Sequence, residues 1–364
     1  MKTTILALSP VLPASTLSNE ELKDRFGGPT MDRIAKMTGI TTRRVVKPHQ
    51  CPSDLALTAA ERLLREMARR GFSRDLVDLL IFASIYPDYR MPPTVSVLHG
   101  KLCLSERCAT WDVGQCCGAY PLVLAQAHAM ISTGLASYAL VLNADTQSRM
   151  CHPRDRSTVV LHGDAACATL LGPCNGEGYG FEGFYLGADG KGAKYLIVPA
   201  GMARQPSTQK TRAEYTDGAG CIRTQEHIQM DGAAVFHFAV CKVPAVIREA
   251  LVRFRLTLDD IDLIILHQAN QNMTDLIYKA LDVPLEKQYS CIRDMGNSGG
   301  PSTAVALSQA WQEGRVHPGD RTLICSFGAG LTWGVTAIRW PMDARPSMDL
   351  DPIVPDEEVL SAAL

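Results

Sequence analysis

Segments of helical periodicity alternate with short apolar runs through most of the 364-residue chain. In the first half "ALTAAERLLREMARRG" precedes "LVDLLIFASIY", and in the second half "VFHFAVCKVPAVIREALVRF" precedes "DIDLIILHQAN". Helical spacing gathers apolar residues on one face of a helix, whereas a short continuous apolar run is typical of a strand buried on both faces. The alternation predicts an α/β fold built in layers.

The two helix–strand units also match residue by residue at a shift of 184 positions. The matching residues are Phe72, Ser73, Asp75, Val77, Asp78, Leu79 and Ile81 in the first unit and Leu256, Thr257, Asp259, Ile261, Asp262, Leu263 and Ile265 in the second. In each half a turn of small residues, "DVGQCCGAY" or "MGNSGGPS", then leads into a further helix and a strand. The repeat predicts a duplicated fold in which two helix amino termini approach a common centre.

Charge and hydropathy exclude two classes of function. The formal net charge is −2 and acidic and basic residues are mixed along the chain, so the basic surface of a nucleic-acid-binding protein is missing. No apolar run reaches the roughly 18 residues that a membrane-spanning helix needs. The first residues, "MKTTILALSPVLPAS", are better explained as a strand than as a secretion signal because a proline interrupts them. We therefore expect a cytoplasmic protein.

The 12 cysteines lack the spacing of a disulfide framework or a zinc site. No Cys-x-x-Cys pair occurs. Cys167, Cys241 and Cys325 lie within apolar runs, where cysteine behaves as a small hydrophobic residue of a reducing compartment. Cys151 has histidines nearby but no second ligand pair. We expect no bound metal.

Two adjacent cysteines, Cys116 and Cys117, stand where an apolar strand gives way to a helix. The positive end of a helix dipole lowers the pKa of a cysteine there and favours the thiolate, which is the nucleophilic form. Gly118 and Ala119 leave room for a substrate carbonyl and let backbone N–H groups approach an oxyanion. This turn makes the pair a candidate nucleophile, while simple burial is the plainer alternative for any one cysteine.

Two further strand-to-helix loops carry polar candidates. His267 follows the apolar strand in "LIILHQAN", and Asn297 lies in a glycine-rich turn before a helix that begins near Pro301. A histidine at a strand end can donate to a bound group, and an amide can donate to an oxyanion without titrating. A structural histidine and a helix cap are the plainer alternatives. Because chemistry in α/β proteins gathers at such loops, Cys, His and Asn together predict an acyl-transfer site.

At these residues the chain resembles the condensing enzymes of the thiolase superfamily, and most closely β-ketoacyl-acyl-carrier-protein synthase III. The resemblance extends from "KMTGITTRRVV" through the cysteine pair, "HGDAACATLL", "LGADGKGAKYLIVPAG", "HQAN" and "GNSGG" to "SFGAGLTWG". It implies a thiolase fold, a five-layered αβαβα body of two similar halves, residues 1–180 and 181–340, and usually a homodimer. The acidic tail, residues 341–364, is expected to be a flexible extension or a strap across the surface.

The resemblance also implies a reaction. The cysteine accepts an acyl group from coenzyme A or an acyl carrier protein, and a malonyl thioester then loses carbon dioxide to form the enolate that attacks it. No cofactor besides these thioester substrates is implied. His267 and Asn297 would stabilise the enolate oxygen, and the backbone N–H groups of the cysteine and of Ala329 would form the oxyanion hole.

The spacing of the family motif favours one of the two cysteines. The family places its nucleophile five residues after a strand aspartate, and counting from Asp112 gives Cys117. Cys116 is the alternative, because it restores the family's Cys-x-Gly pattern, but it requires a deletion and a compensating insertion around the turn. Under the favoured register, the neighbouring cysteine packs beneath the turn as a small hydrophobic residue.

The resemblance assigns substrate-binding positions to five residues, namely Arg33, Met37, Met91, His237 and Asn272. Arg33 and Met37 stand where the family commonly clamps the adenine of coenzyme A with an aromatic residue and an arginine, so this clamp is weakened. His237 and Asn272 stand at basic positions used for phosphate or carrier protein. Met91 stands where relatives place a residue that reaches into the partner's acyl pocket. We therefore expect an unusual acyl group or carrier protein, as in polyketide or other secondary metabolism.

Two other functions fit the same residues. An acyltransferase on this scaffold would pass the acyl group from cysteine to a hydroxyl or an amine, and would tolerate aspartate in place of Asn297. An inactive partner of a heterodimeric synthase would not be acylated at all. Retention of both His267 and Asn297 favours condensation with a malonyl or β-ketoacyl thioester, because decarboxylation needs two donors at the enolate oxygen.

Overall fold

A computed structural model describes residues 2–174, 176–346 and 350–364. Its strands are β1 Thr3–Pro13, β2 Thr16–Ser18, β3 Thr42–Arg44, β4 Leu79–Ala83, β5 Ala109–Val113, β6 Ala139–Thr146, β7 Asp164–Pro173, β8 Gly180–Ala188, β9 Leu196–Ile197, β10 Tyr215–Thr216, β11 Ile222–Arg223, β12 Gln229–Met230, β13 Leu263–Leu266, β14 Arg321–Gly328, β15 Thr332–Arg339 and β16 Ile353–Val354. Its α-helices are α1 Asn19–Phe26, α2 Gly28–Thr38, α3 Pro52–Arg69, α4 Thr94–Lys101, α5 Ala119–Ser132, α6 Gln209–Arg212, α7 Gly232–Phe254, α8 Gln271–Ala280 and α9 Ser302–Gln312.

The long strands form two sheets. The first has the order β16-β1-β7-β6-β4-β5 and the second the order β13-β14-β15-β8. In the first sheet β4 is parallel to β5 and β6, whereas β7 is antiparallel to both β6 and β1. In the second sheet β13 is parallel to β14, whereas β15 is antiparallel to both β14 and β8. Strands β4, β6 and β13 are buried along their whole length, which explains their uninterrupted apolar sequences.

The strand order repeats between the two sheets, as the duplication predicts. The series β1-β7-β6-β4 corresponds to β8-β15-β14-β13. Strand β4 begins at Leu79 and β13 at Leu263, which lie 184 positions apart, the shift found in the sequence. Ile264 of β13 also forms a parallel bridge with Gln288, where the first sheet has β5 beside β4. The second half therefore retains only a remnant of the fifth strand.

Helices complete five layers. Helices α3 and α4 cover the outer face of the first sheet, with Leu63 among the buried residues of that core. Helices α5 and α9 lie between the sheets and share one core through residues such as Val123 and Val305. Helices α7 and α8 cover the outer face of the second sheet through Val243 and Ile277. The αβαβα order confirms the predicted fold class.

Burial of the cysteines agrees with the sequence interpretation in two of three cases. Cys167 and Cys325 are buried in strands, but Cys241 is exposed. The apolar run around Cys241 belongs to α7, and helical geometry turns this position toward solvent although its neighbours are apolar. Within the described ranges, no group of three or more metal-ligating side chains occurs. No helix of the same ranges is long and apolar enough to cross a membrane.

The described part of the tail packs against the body as a strap. Strand β16 extends the first sheet beside β1. Beyond it, the Leu360 N–H donates to Thr58 Oγ1 at 2.9 Å and the Ala362 N–H donates to Asp54 Oδ1 at 2.7 Å, which ties the chain end to α3. Val354 and Ala362 are buried. Of the two forms expected for the tail, residues 350–364 adopt the strap.

A carboxylate introduced under the strap should destabilise the protein. Ala362 is fully buried and its amide is bonded to Asp54, so Ala362→Asp would place a second carboxylate beside the first, out of water. We expect the free energy of unfolding to fall by about 2–4 kcal/mol. The neighbouring Ala363 is exposed, so Ala363→Asp should change it by less than about 0.5 kcal/mol. Urea unfolding followed by circular dichroism measures both, and equal stabilities would show that the tail is not docked.

Candidate active site

The three loops predicted to carry chemistry meet at one cavity. Its volume is about 920 Å³, and its wall includes Cys116, Cys117, His267, Asn297 and Ala329. A cavity of this size is typical of a small-molecule site. The residues come from both halves of the duplicated fold. His267 and Ala329 directly follow the parallel strands β13 and β14, where α/β proteins place their ligands, whereas Asn297 lies in the turn before α9.

The cysteine pair lies in the turn between β5 and α5. The Ala119 N–H donates to the Cys116 carbonyl at 2.8 Å, which closes the turn just before the helix. Both cysteines are buried. A Cβ atom on Gly328 would lie only 2.6 Å from the Cβ of Cys117, so glycine is required for the loop that contains Ala329 to pass this close to the thiol.

The two thiols differ in their electrostatic surroundings. Their Sγ atoms are 3.5 Å apart. The hydrogen bond from the Cys116 thiol holds the pKa of Cys117 well below its usual value against the opposing effect of burial, and the nearby His267 adds to this effect. The pKa of Cys116 is raised, first because its thiol bonds to Cys117 and then because it is buried. Cys117 is therefore the thiol better suited to act as a nucleophile.

The lowered pKa predicts how alkylation of Cys117 depends on pH. Because the pKa of Cys117 lies well below its usual value, its rate with iodoacetamide should rise much less between pH 7 and pH 9 than the rate of an ordinary thiol. A thiol with an ordinary pKa, such as free glutathione as reference, should gain roughly 25-fold over the same interval. Mass spectrometric peptide mapping should place the label on Cys117. A steep rise in rate, or label mainly on Cys116, would contradict this assignment of the thiolate.

His267 is oriented by the first residue of α9. Its Nδ1 lies 2.7 Å from the hydroxyl oxygen of Ser302, which also accepts the Gln268 N–H at 3.4 Å. When the Ser302 hydroxyl donates its proton to Nδ1, the imidazole proton is on Nε2. Phe327 packs edge-to-face on the ring with the centroids 5.5 Å apart. His267 can thus present an N–H donor in the cavity.

Asn297 is held by its backbone and by one side-chain oxygen. Its N–H donates to the Leu161 carbonyl and its own carbonyl accepts the Gly163 N–H, both at 2.9 Å. Its Oδ1 accepts the Gly299 N–H at 3.0 Å. Gly299 has a φ of +72°, which favours glycine. With Oδ1 engaged in the turn, the Nδ2 amide is left as the donor that Asn297 offers to a ligand.

A buried carboxyl group joins the two halves beneath the site. Asp145, at the end of β6, accepts the Gly300 N–H at 2.8 Å and the Ile85 N–H at 3.0 Å. Burial raises its pKa to about 7 in spite of these two donors. The carboxyl group fixes the turn before α9 against the end of β4, so it helps to position Asn297. The sequence interpretation did not identify it.

Two polar residues of the cavity wall, His162 and Gln147, were also not identified from the sequence as part of the site. His162 lies two residues before the first residue of β7 and Gln147 immediately follows β6, and both are buried. His267 was identified as a site candidate because it lies beside the end of an apolar strand, and the same signal could have identified these two residues. Their proximity to the cysteines results from sheet pairing, which the local sequence does not reveal.

The five predicted substrate-binding residues lie outside the cavity wall. Arg33, Met37, Met91, His237 and Asn272 are all exposed, and none of them lines the cavity. The structure therefore brings the nucleophile and the two donors together without these five. Roles in holding the distal part of a donor, or in contact with a second protomer, stay predictions for these positions.

Two duplicated α/β halves, with a buried cysteine, histidine and asparagine around one cavity between them, define a condensing enzyme of the thiolase superfamily. Family comparison agrees: the model of 3-oxoacyl-acyl-carrier-protein synthase III matches residues 111–190, and the model of its C-terminal region matches residues 251–340. The chain belongs to the β-ketoacyl-acyl-carrier-protein synthase III family. It is accordingly an acyltransferase, and the resemblance noted in its sequence is confirmed.

Individual relatives show how far this similarity extends. The β-ketoacyl-acyl-carrier-protein synthase III of Caldanaerobacter subterraneus subsp. tengcongensis is 35% identical over 92% of this chain and 97% of its own. A crystal structure of a 3-oxoacyl-acyl-carrier-protein synthase III is 32% identical with a TM-score of 0.89, covering 93% of this chain and 100% of the other. The priming β-ketosynthase of a polyketide biosynthetic pathway is 26% identical with a TM-score of 0.80, covering 93% and 96%.

Proposed function

We propose that the protein joins an acyl group carried by Cys117 to a malonyl or β-ketoacyl thioester by Claisen condensation, with loss of carbon dioxide when the second substrate is a malonyl thioester. The observation that carries this proposal is the convergence of a thiolate-favouring Cys117 with two hydrogen-bond donors, His267 and Asn297, on one cavity. A thiolate alone would support acyl transfer. The two donors add a site for the oxygen of an enolate.

In the first step, the Cys117 thiolate attacks the carbonyl carbon of an acyl thioester. The negative charge that develops on the carbonyl oxygen is stabilised by the backbone N–H groups of Cys117 and Ala329, which the close approach of the loop at Gly328 brings together. The donor thiolate then leaves. One thioester replaces another, so the step needs no cofactor.

In the second step, the thioester oxygen of the malonyl substrate accepts hydrogen bonds from Nε2 of His267 and Nδ2 of Asn297. When the bond to the carboxylate breaks, carbon dioxide leaves and the electron pair moves toward that oxygen, where the two donors stabilise it. The enolate carbon attacks the acyl carbonyl, and the Cys117 thiolate departs. The product is a thioester longer by two carbons, and the nucleophile is regenerated.

The cavity supports an acyl group larger than acetyl. Its volume is about 920 Å³, and its wall includes the apolar residues Ile197, Met230 and Phe238. We propose donors carried by coenzyme A or an acyl carrier protein, and a place in fatty-acid-derived, polyketide or other secondary metabolism. We also propose a homodimer in a cytoplasmic, reducing compartment, with the exposed Met91 in contact with the partner protomer.

Product analysis tests this proposal. The protein is incubated with an acyl-coenzyme A and a malonyl thioester, and carbon dioxide and the β-ketoacyl thioester are quantified. We expect the two in equal amounts. Transfer of the acyl group to an added alcohol or amine while malonyl is unused would instead establish the acyltransferase. A wild-type protein that no donor acylates would establish the inactive partner of a heterodimeric synthase.

A further inference from the structure

Two buried side chains beside the cysteines have polar atoms without a hydrogen-bond partner. His162 is 5% exposed and neither of its ring nitrogens is bonded; Gln147 is 2% exposed and its Oε1 is not bonded. The other amide atom of Gln147, Nε2, donates to Cys116 Sγ at 3.2 Å. A buried polar group left unpaired is destabilising. Since both side chains line the cavity, a cavity ligand is the natural partner for them.

Both residues are held in place at this wall by contacts with the turn that contains Asn297. His162 forms a parallel bridge with Asn297, and a Cβ on the next residue, Gly163, would lie 2.3 Å from the Met295 carbonyl oxygen. The His162 ring also lies near the Asn297 backbone, but no hydrogen bond of normal geometry forms. The amide of Gln147 packs where a Cβ on Gly299 would be, only 2.2 Å from Nε2. Neither the backbone of His162 nor the side-chain amide of Gln147 can shift without disturbing the turn that positions Asn297.

The unpaired atoms define what the ligand must offer. Burial lowers the pKa of His162, so its imidazole is neutral and presents one N–H donor and one nitrogen acceptor. Gln147 Oε1 is an acceptor only. An alkyl chain would leave all of these atoms unpaired. A hydroxyl is a small neutral group that both donates to an acceptor and accepts from an N–H.

We propose that His162 and Gln147 bind a hydroxyl group of the acyl substrate, so that the protein selects a hydroxyacyl donor over its plain alkyl counterpart. The hydroxyl lies within a few bonds of the thioester carbonyl, because Gln147 contacts Cys116 and the His162 ring is close enough to Cys117 to influence its charge. The inference rests on the proposed function and specifies the class of its donor substrate.

Matched donors test this selectivity in the acylation step alone. Intact-protein mass spectrometry follows the rate of acylation by butanoyl-coenzyme A and by both enantiomers of 2- and 3-hydroxybutanoyl-coenzyme A. We expect at least one hydroxyacyl donor to react about 10-fold or more faster than butanoyl at limiting concentration. In His162→Phe and in Gln147→Leu this ratio should fall to within about twofold of unity. His99→Phe is the control, because His99 lies on α4 outside the cavity wall and should keep the wild-type ratio.

The outcomes separate this inference from the proposed condensation. Equal acylation rates for all donors, or a hydroxyacyl-to-butanoyl ratio that is unchanged in both cavity variants, would overturn the hydroxyl site. The condensation would still be tested separately, by product analysis with malonyl thioester. A retained preference without malonyl consumption would leave the hydroxyl site standing and overturn the condensation. Wild-type protein acylated by none of the donors would overturn both. The two variants lie on different segments, and thermal denaturation shows which of them is folded.

Discussion

Cys117→Ala is expected to lose acylation and condensation by at least about 10⁴-fold, because removing a covalent nucleophile eliminates the intermediate on which both steps depend. Cys117 is the thiol whose pKa is held low, first by the hydrogen bond from Cys116 and then by His267, and it lies against the glycine loop that carries Ala329. The measurement is the single-turnover rate of acyl-enzyme formation, followed by intact-protein mass spectrometry.

Cys116→Ala is the matched control for this prediction. Its thiol donates to Cys117 and its removal deletes one hydrogen bond. The loss of one bond of this kind should slow acylation by only roughly tenfold. The pKa of Cys117 should rise in the same variant, which alkylation at graded pH would detect. The reverse result, in which Cys116→Ala is inactive and Cys117→Ala is still acylated, would show that Cys116 is the nucleophile.

Asn297→Asp is expected to reduce condensation by about 10²–10³-fold or more while changing acylation by less than about tenfold. The aspartate can still accept the Gly299 N–H through one oxygen, so the turn keeps its conformation. Its second oxygen replaces an N–H donor with an acceptor, and places negative charge where the enolate oxygen develops. Decarboxylation of a malonyl thioester and acylation by an acyl-coenzyme A, measured separately, resolve the two effects.

Asn297→Ala separates the loss of a donor from the added charge. It removes the donor but introduces no carboxylate, so condensation should fall less than in Asn297→Asp. An acyltransferase needs a base more than a donor at this position. The condensing function would therefore be contradicted if Asn297→Asp transferred the acyl group to an alcohol or amine as fast as the wild type or faster, with an unchanged yield of the ester or amide product.

The architecture was predictable because the signal for it is local and repeated. Periodicity located helices α3 and α7 and the strands that follow them, and the same shift of 184 positions separates the starts of β4 and β13. Continuous apolar runs indicated strands buried on both faces. The strap was harder to predict, since its bonds join Leu360 to Thr58 and Ala362 to Asp54 across about 300 positions of sequence.

The chemistry was predictable where a residue lies in a loop or turn that leads into a helix, and not where sheet pairing alone creates the contact. Cys117, His267 and Asn297 meet in one cavity as their loops indicated. His162 and Gln147 reach the same wall because antiparallel β6 and β7 bring their flanking segments together. Their chemical meaning depends on burial and on the absence of partners, which only the three-dimensional arrangement shows.

The central claim is most directly tested by mapping the acyl group before and after a malonyl chase. The protein is acylated with coenzyme A and carrier-protein thioesters, the modified peptide is identified by mass spectrometry, and a malonyl thioester is then added. We predict an adduct on Cys117 that disappears as carbon dioxide and a β-ketoacyl thioester form. An adduct on Cys116, or one on Cys117 that persists in the presence of malonyl thioester, would contradict the account.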